Sequence, residues 1–335
     1  MSTIEIIPIS FPSHDSKSTC KGQIWRDSER TDAPRGIIQF VHGMAEHITR
    51  YDDLARFFVD QGFVACGIDH IGHGDTAPTK DDWGVMPIKG GSQVLVDDAH
   101  ELRLAMQQSY GEDVPYFMYG HSMGSFVTRM YISQRGAGLS GAILSGTGHN
   151  PVAVCKAGLM LARRIAKSKG IRYQSKTLHN LADGAYSGAI KDARTIFDWL
   201  SHDDAVVDAY IADEASGFPF KAGGYATLME LCEYIAHQSC ADAVPRDLPV
   251  LFIAGNEDPV GNNGKGVTAV YDMFRKAQIA DVTLTLYDGM RHEVHNEIDH
   301  ERVYNDVLQW IEAHIEGSAE GAEAAAEDDA EVAAE

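Results

Sequence analysis

Ser122 stands in Gly120-His121-Ser122-Met123-Gly124, a G-x-S-x-G pentapeptide between an apolar run, Pro115–Tyr119, and a segment of helical pattern, Phe126–Ile132. A nucleophile on so tight a strand-to-helix turn has a strained backbone, and side chains at Gly120 and Gly124 would collide with neighbouring chain. The turn also puts Ser122 at a helix N-terminus, where backbone N–H groups favour developing negative charge. The pentapeptide alone also fits a turn with a surface serine; the strand before it and the helix after it point to catalysis. A serine hydroxyl is a weak nucleophile at neutral pH, so it needs a histidine base and an orienting carboxylate, in the chain order Ser, Asp or Glu, His. Gly255-Asn256-Glu257-Asp258 follows the apolar run Pro249–Ala254 and offers two acids, between which spacing does not choose. Asp288-Gly289-Met290-Arg291-His292-Glu293 follows Val282–Tyr287, and His292 is preferred to His295, which lies further into the next segment. Acyl transfer also needs donors for an oxyanion. The Met123 N–H, just after the nucleophile, is one. In the loop His42-Gly43-Met44-Ala45-Glu46-His47, Gly43 lets the backbone turn and makes the Met44 N–H the second.

These groups must be delivered by strand ends. Apolar runs alternate with helical patterns, as expected of a largely parallel sheet covered by helices on both faces. Ile37–Val41 and Phe63–Ile68 are predicted strands, joined by a helix whose Tyr51, Leu54, Ala55 and Phe58 share one face. A helix on Leu95, Ala99, Leu102 and Met106 precedes the Pro115–Tyr119 strand, and Gly141–Leu144 is the next strand. About a hundred residues then separate this strand from Pro249–Ala254, where one crossover helix suffices. Helical patterns at Val154–Ala166, Ala189–Leu200 and Tyr225–Ala236 predict a mainly helical cap inserted there. The alternation resumes with a helix on Val267, Val270, Tyr271 and Phe274, the Val282–Tyr287 strand, and a last helix carrying Tyr304, Leu308, Ile311 and Ile315. The expected organisation is a core in two parts, 1–147 and 236–316, a cap at 148–235, and a tail at 317–335. The tail is acidic and expected to be disordered.

Composition bounds the rest. The chain has 335 residues, 44% of them hydrophobic and 23% charged, which excludes collagen, coiled coil and wholesale disorder. No apolar run approaches the roughly 18 residues of a membrane span, and the opening MSTIEIIPISF is not a signal segment, so a cytoplasmic protein is expected. Five cysteines suit small core residues better than a disulfide framework. Removing the seven tail acids from a net charge of −21 leaves −14, so nucleic acid is an unsuitable partner. Against that balance, 151–182 carries Lys156, Arg163, Arg164, Lys167, Lys169, Arg172 and Lys176 and no acid before the segment's end. This is either the solvated face of an amphipathic helix or, across 156–176, a surface for transient contact with anionic lipid.

Val41–His47 with Arg50-Tyr51, then Asp69-His70-Ile71-Gly72-His73-Gly74, then the Ser122 pentapeptide, together resemble the monoacylglycerol lipase and lysophospholipase group of α/β-hydrolases. The similarity spans roughly 36–314. It implies an eight-stranded, mostly parallel sheet, a helical cap after strand six, and hydrolysis of acyl glycerols or lysophospholipids without a cofactor. Position by position it implies Ser122 as nucleophile, Asp258 as orienting acid, His292 as base, and Met44 and Met123 as oxyanion donors. Asp75-Thr76 departs from the group's usual pattern after Gly74, in a loop away from the triad. A short-chain esterase or a peptidase on the same scaffold, and a binding protein without turnover, are the alternatives. A carboxylate-nucleophile epoxide hydrolase or dehalogenase is excluded by Ser122. Fifteen histidines invite a metal reading, but His42–His47 is one residue too long for H-x-x-E-H and His292–His295 one too short for H-E-x-x-H. Gly72-His73-Gly74 and Gly264-Lys265-Gly266 imitate nucleotide loops without the flanking residues those need.

Overall fold

The computed structural model describes residues 2–315 apart from 183 and 185, so the expected acidic tail lies outside the described residues. Eight strands form one sheet: β1 (Ile4–Pro12), β2 (Thr19–Asp27), β3 (Ile37–Val41), β4 (Val64–Ile68), β5 (Tyr116–His121), β6 (Gly141–Ser145), β7 (Val250–Gly255) and β8 (Val282–Tyr287). Their spatial order is β1-β2-β4-β3-β5-β6-β7-β8. The β1/β2 and β2/β4 pairs are antiparallel, and every pair from β4 to β8 is parallel.

β3 to β7 are buried along their whole length. That is why they appear in the sequence as short continuous apolar runs rather than alternating ones. Successive side chains still leave on opposite faces. Ile38 and Phe40 join Leu54 and Phe58 of α1 (Asp52–Asp60) and Val303, Val307 and Ile311 of the terminal helix 300–315. Ile37 and Val41 join Leu95 and Leu102 of α2 (Gly91–Tyr110), Val127 and Tyr131 of α3 (Met123–Arg135), and Val267 and Phe274 of α9 (Lys265–Lys276). The five cysteines are free and buried.

Between β6 and β7 the chain makes its long excursion through α4 (Val152–Lys169), α5 (Lys176–Ala182), α6 (Asp204–Ala212), α7 (Ala222–Ile235) and α8 (Gln238–Asp242). α7 packs on α3 as well as on α4, so the excursion shares its core with the sheet. The helix expected at Ala189–Leu200 is absent: those residues form turns. Side chains there compete for the backbone. The Asp198 carboxylate accepts from the Arg194 N–H and, at 2.5 Å, from the Thr195 hydroxyl, whose oxygen accepts from the Phe197 N–H at 3.1 Å.

Strand order decides where the chemistry collects. β3 lies between β4 and β5, so the connections leave it in opposite directions, and ligands sit beyond the carboxyl ends at such a switch. Val41 pairs with Gly120, which lays the 42–47 loop beside Ser122. Gly255 pairs with Tyr287, which does the same for the segments bearing Asp258 and His292.

Candidate active site

Ser122 occupies the one-residue junction between β5 and α3 with φ 53° and ψ −121°. Non-glycine residues hold such a conformation only where the surroundings enforce it, at about 1–3 kcal/mol. The enforcement is visible in the two glycines. A Cβ on Gly120 would stand 2.5 Å from the Gly124 carbonyl oxygen, and one on Gly124 would stand 1.9 Å from that of Val41. The Ser122 N–H donates to the Ser145 carbonyl at 2.9 Å, anchoring the turn to β6.

His292 and Asp258 meet as a buried pair, Nδ1 to Oδ2 at 2.9 Å. The second carboxylate oxygen accepts from the Val260 N–H at 2.8 Å, which fixes the acid's orientation. A carboxylate on Nδ1 keeps the proton there and leaves the Nε2 lone pair for base work. That Nε2 is buried and has no hydrogen-bond partner among the described residues, and it belongs to a ring that lines the same cavity as Ser122. Burial alone would lower the His292 pKa; the Asp258 carboxylate outweighs it, and the pKa stands above its ordinary value.

The alternatives at both positions are placed elsewhere. Glu257 is exposed, its carboxylate 3.3 Å from His202 Nε2. His295 is stacked on Tyr51 with ring centres 5.3 Å apart, and burial pushes its pKa down to about 4.

The 42–47 loop is held as tightly as the elbow. His42 Nδ1 donates to the Gly43 carbonyl at 2.8 Å while His42 Nε2 accepts from the His70 N–H at 2.9 Å. Because a peptide is planar and trans, pinning the Gly43 carbonyl also directs the Met44 N–H of the same unit. Among the described residues neither the Met44 nor the Met123 amide has an acceptor, and both residues line the cavity. Gly43 is close enough to Ser122 that a Cβ on it would stand 3.1 Å from the serine's own.

Behind this loop lies a buried charge cluster that the motif analysis did not single out as functional. Glu46 accepts from the Gly43 N–H at 2.5 Å and from the Tyr51 hydroxyl at 2.9 Å, and it pairs with Arg50. Arg50 in turn forks onto both oxygens of Glu293 at 2.7 Å. Burial opposes the charge on Glu293, but Arg50 holds that carboxyl down to about 2. One guanidinium thus ties the 42–47 loop to the residue beside His292. Glu46, Arg50 and Tyr51 stand in the motif that carries the family resemblance, but their link to Glu293, 243 residues beyond Arg50, leaves no local pattern in the sequence.

The cavity at these groups has a volume of about 470 Å³. Met44, Phe126, Phe218 and Leu228 give it apolar walls, and Asn180 and Ser187 add polar groups from the excursion. Among the described residues no group of three or more His, Cys, Asp and Glu is arranged to hold a metal. What the arrangement supplies is a serine, a proton acceptor, a fixed carboxylate and two unpaired amides, the parts needed for acyl transfer.

Residues 32–299 match the family described as Serine aminopeptidase, S33 (Hydrolase_4), and the chain belongs to that family of α/β-hydrolases. Within the α/β-hydrolases it falls with the monoglyceride lipase group. It is 26% identical over 297 residues to the mouse monoglyceride lipase, covering 87% of this chain and 86% of that one. To the monoacylglycerol lipase of Mycolicibacterium smegmatis it is 28% identical over 298 residues, 84% of this chain and 90% of the other. It spans only 27% of an uncharacterized abhydrolase domain-containing protein from Dictyostelium discoideum, at 27% identity. Among solved structures, a thermostable carboxyl esterase from Bacillus coagulans in complex with glycerol superposes with a TM-score of 0.85 at 33% identity, covering 94% of this chain and 99% of that one. A soluble variant of the Saccharomyces cerevisiae monoglyceride lipase, at 22% identity and a TM-score of 0.71 over 94% and 96% of the two chains, shares the fold.

Proposed function

We propose that this chain is a carboxylic ester hydrolase that cleaves monoacylglycerols or lysophospholipids through an acyl-enzyme on Ser122. Ser122 Oγ attacks the acyl carbonyl as His292 Nε2 takes its proton, and the Met44 and Met123 N–H groups receive the oxyanion. The imidazolium, stabilised by Asp258, then protonates the departing alcohol. Water, deprotonated by the same imidazole, releases the fatty acid and restores the serine.

The observation that carries this is the buried 2.9 Å pairing of His292 Nδ1 with Asp258, which leaves Nε2 open in the cavity that Ser122 lines. The relatives named as monoglyceride lipases and as a carboxyl esterase support esters as the substrate class. A cavity of about 470 Å³ with apolar walls suits an acyl chain. The segment 148–235 acts as a cap over the two core parts, 1–147 and 236–316. The apolar and basic residues it leaves exposed support contact with an anionic lipid surface.

The test is Ser122→Ala, expected to lower kcat by about six orders of magnitude, as loss of the nucleophile does in subtilisin, while the protein stays folded. A fluorophosphonate should label Ser122 in the native chain, located by mass spectrometry. Esters of graded chain length run beside the matching amides separate a lipid esterase from the peptidase that the family's description suggests. Full ester hydrolysis by the alanine variant overturns the assignment.

A further inference from the structure

Ala45 follows Met44 directly and has φ 54°, in the left-handed region that favours glycine. Its backbone is held from two directions. Its N–H donates to Nε2 of the buried His73 at 3.2 Å, on the sheet side. Its carbonyl accepts from the Tyr210 hydroxyl at 3.0 Å and from the Gly217 N–H at 2.9 Å, both in the excursion between β6 and β7. Close by, His47 Nε2 and Asp213 Oδ2 lie 2.6 Å apart, so 210–217 grips 45–47 at three points. Tyr210 is buried on α6, its ring 5.1 Å from that of Phe197 and under the Arg50 guanidinium at 4.7 Å.

A strained residue keeps its conformation only while its surroundings over-determine it. The Ala45 N–H belongs to the peptide unit that follows Met44 and the Ala45 carbonyl to the unit after that, so these holds fix the chain on the carboxyl side of Met44 while the pinned Gly43 carbonyl fixes it on the amino side. Oxyanion donors stabilise a transition state because they are aimed before the charge appears.

We propose that Tyr210 is a positioning residue for ester hydrolysis: from the excursion, its hydroxyl holds the Ala45 carbonyl and so aims the Met44 N–H at the tetrahedral adduct on Ser122. This rests on the assignment of Ser122 and Met44 above. It makes closure of α6 over the cavity and completion of the oxyanion hole one event, since α6 cannot move away without withdrawing the Tyr210 donor.

The experiment compares wild type, Tyr210→Phe and Asp213→Ala on a soluble p-nitrophenyl butyrate, with active sites counted by fluorophosphonate titration. A trifluoromethyl ketone, which adds to the serine as a charged hemiketal, reports the oxyanion hole separately. Tyr210→Phe loses one hydrogen bond, so kcat is expected to fall on the order of tenfold with KM within about twofold, and the ketone to bind about tenfold more weakly. Asp213→Ala, which leaves the Tyr210 hydroxyl in place but removes the His47 tie and the carboxylate's bonds to the Ala215 N–H and the Ser216 hydroxyl, is expected to show a smaller fall of the same kind. Lower thermal stability with unchanged kcat and ketone affinity makes the hydroxyl a packing device and overturns the proposal. A raised KM with unchanged kcat makes it a substrate contact and does the same. A wild-type protein that neither turns over the ester nor binds the ketone removes the Ser122 assignment itself, an outcome separate from equal behaviour of wild type and variant.

Discussion

His292 is pulled two ways, by burial that favours its neutral form and by Asp258 that favours its charged form, and the carboxylate prevails. As the proposed base it must be neutral, so kcat/KM is expected to fall as pH drops through an apparent pKa above 6.5. Asp258→Asn removes the charge and keeps the shape. Burial is then opposed only by the smaller influence of Glu293 and Glu46, so the acid limb is expected to move to lower pH while kcat falls by about four orders of magnitude, as in the corresponding trypsin variant. A pH–rate profile of the two proteins checks this, and an acid limb that does not move refutes the coupling. Ser122 was legible in the sequence because its strain must be accommodated by two glycines, and glycines at fixed spacing survive as letters. Asp258 was less so, since spacing does not separate it from its neighbour Glu257; the resemblance favoured Asp258, and the fold turns it inward and leaves Glu257 in solvent. The hold on Ala45 by His73, Tyr210 and Gly217 was not legible at all. It depends on backbone atoms, which every residue type carries.

Elements buried on both faces were the easiest to read. β3 to β7 are continuous apolar runs because helices cover both sides of the sheet. β1 and β2 lie on one edge of the sheet, paired antiparallel, and β1 contains Pro8 and ends in Pro12, so neither gives such a run. The apolar spacing at 189–200 imitates a helix where Asp198 and Thr195 build turns instead. In α4 the expected two faces are present. Cys155, Leu159, Ala162 and Ala166 are buried, and the basic residues divide. Arg163 is engaged by Glu230 and, beyond the helix end, Arg172 by Asp82, while Lys156 lies 3.9 Å from Glu233. Arg164 and Lys167 are exposed, and they share a helical face with Met160, which is 68% exposed. A lipid-facing surface needs that mixture of cation and apolar side chain. Each basic residue near an anionic surface contributes about 1 kcal/mol. Reversing two charges in Arg164→Glu with Lys167→Glu is therefore expected to reduce cosedimentation with phosphatidylserine vesicles at least tenfold, and high salt to reduce that of the wild type. Sedimentation indifferent to anionic lipid, salt and these substitutions removes the surface contact.

Across the whole molecule, the site's rigidity comes from histidines kept neutral by burial, and this sets a limit in acid. Burial lowers the pKa of His70 to about 4, of His73 to about 3 and of His295 to about 4, and takes His42 and His121 well below 6.5. For each, the unfolded chain binds a proton before the folded one does. Their stabilising contribution is therefore complete above pH 6.5 and is lost as pH falls from there toward the folded values. Each such histidine removes about 1.4 kcal/mol per pH unit inside that window, so three together remove about 4 kcal/mol between pH 6 and pH 5. His292 has the opposite sign, its raised pKa adding stability that is present below pH 6.5 and lost as pH rises through the folded value, and burial raises Glu46 and Asp69 so that they too offset part of the loss in acid, but these are three groups against five histidines. Glu293, held at about 2 by Arg50, adds a second loss only once pH falls below its ordinary 4.5. Against a typical net stability of about 5–15 kcal/mol, cooperative unfolding is expected between about pH 5 and pH 4. Urea midpoints measured from pH 7 to pH 4.5 are the check: they should drop steeply below pH 6.5, and His295→Gln should flatten the slope whatever it does to the midpoint at pH 7. A midpoint constant across that range would mean that the buried imidazoles take up protons within the folded state, and that the 42–47 loop is looser than its hydrogen bonds imply.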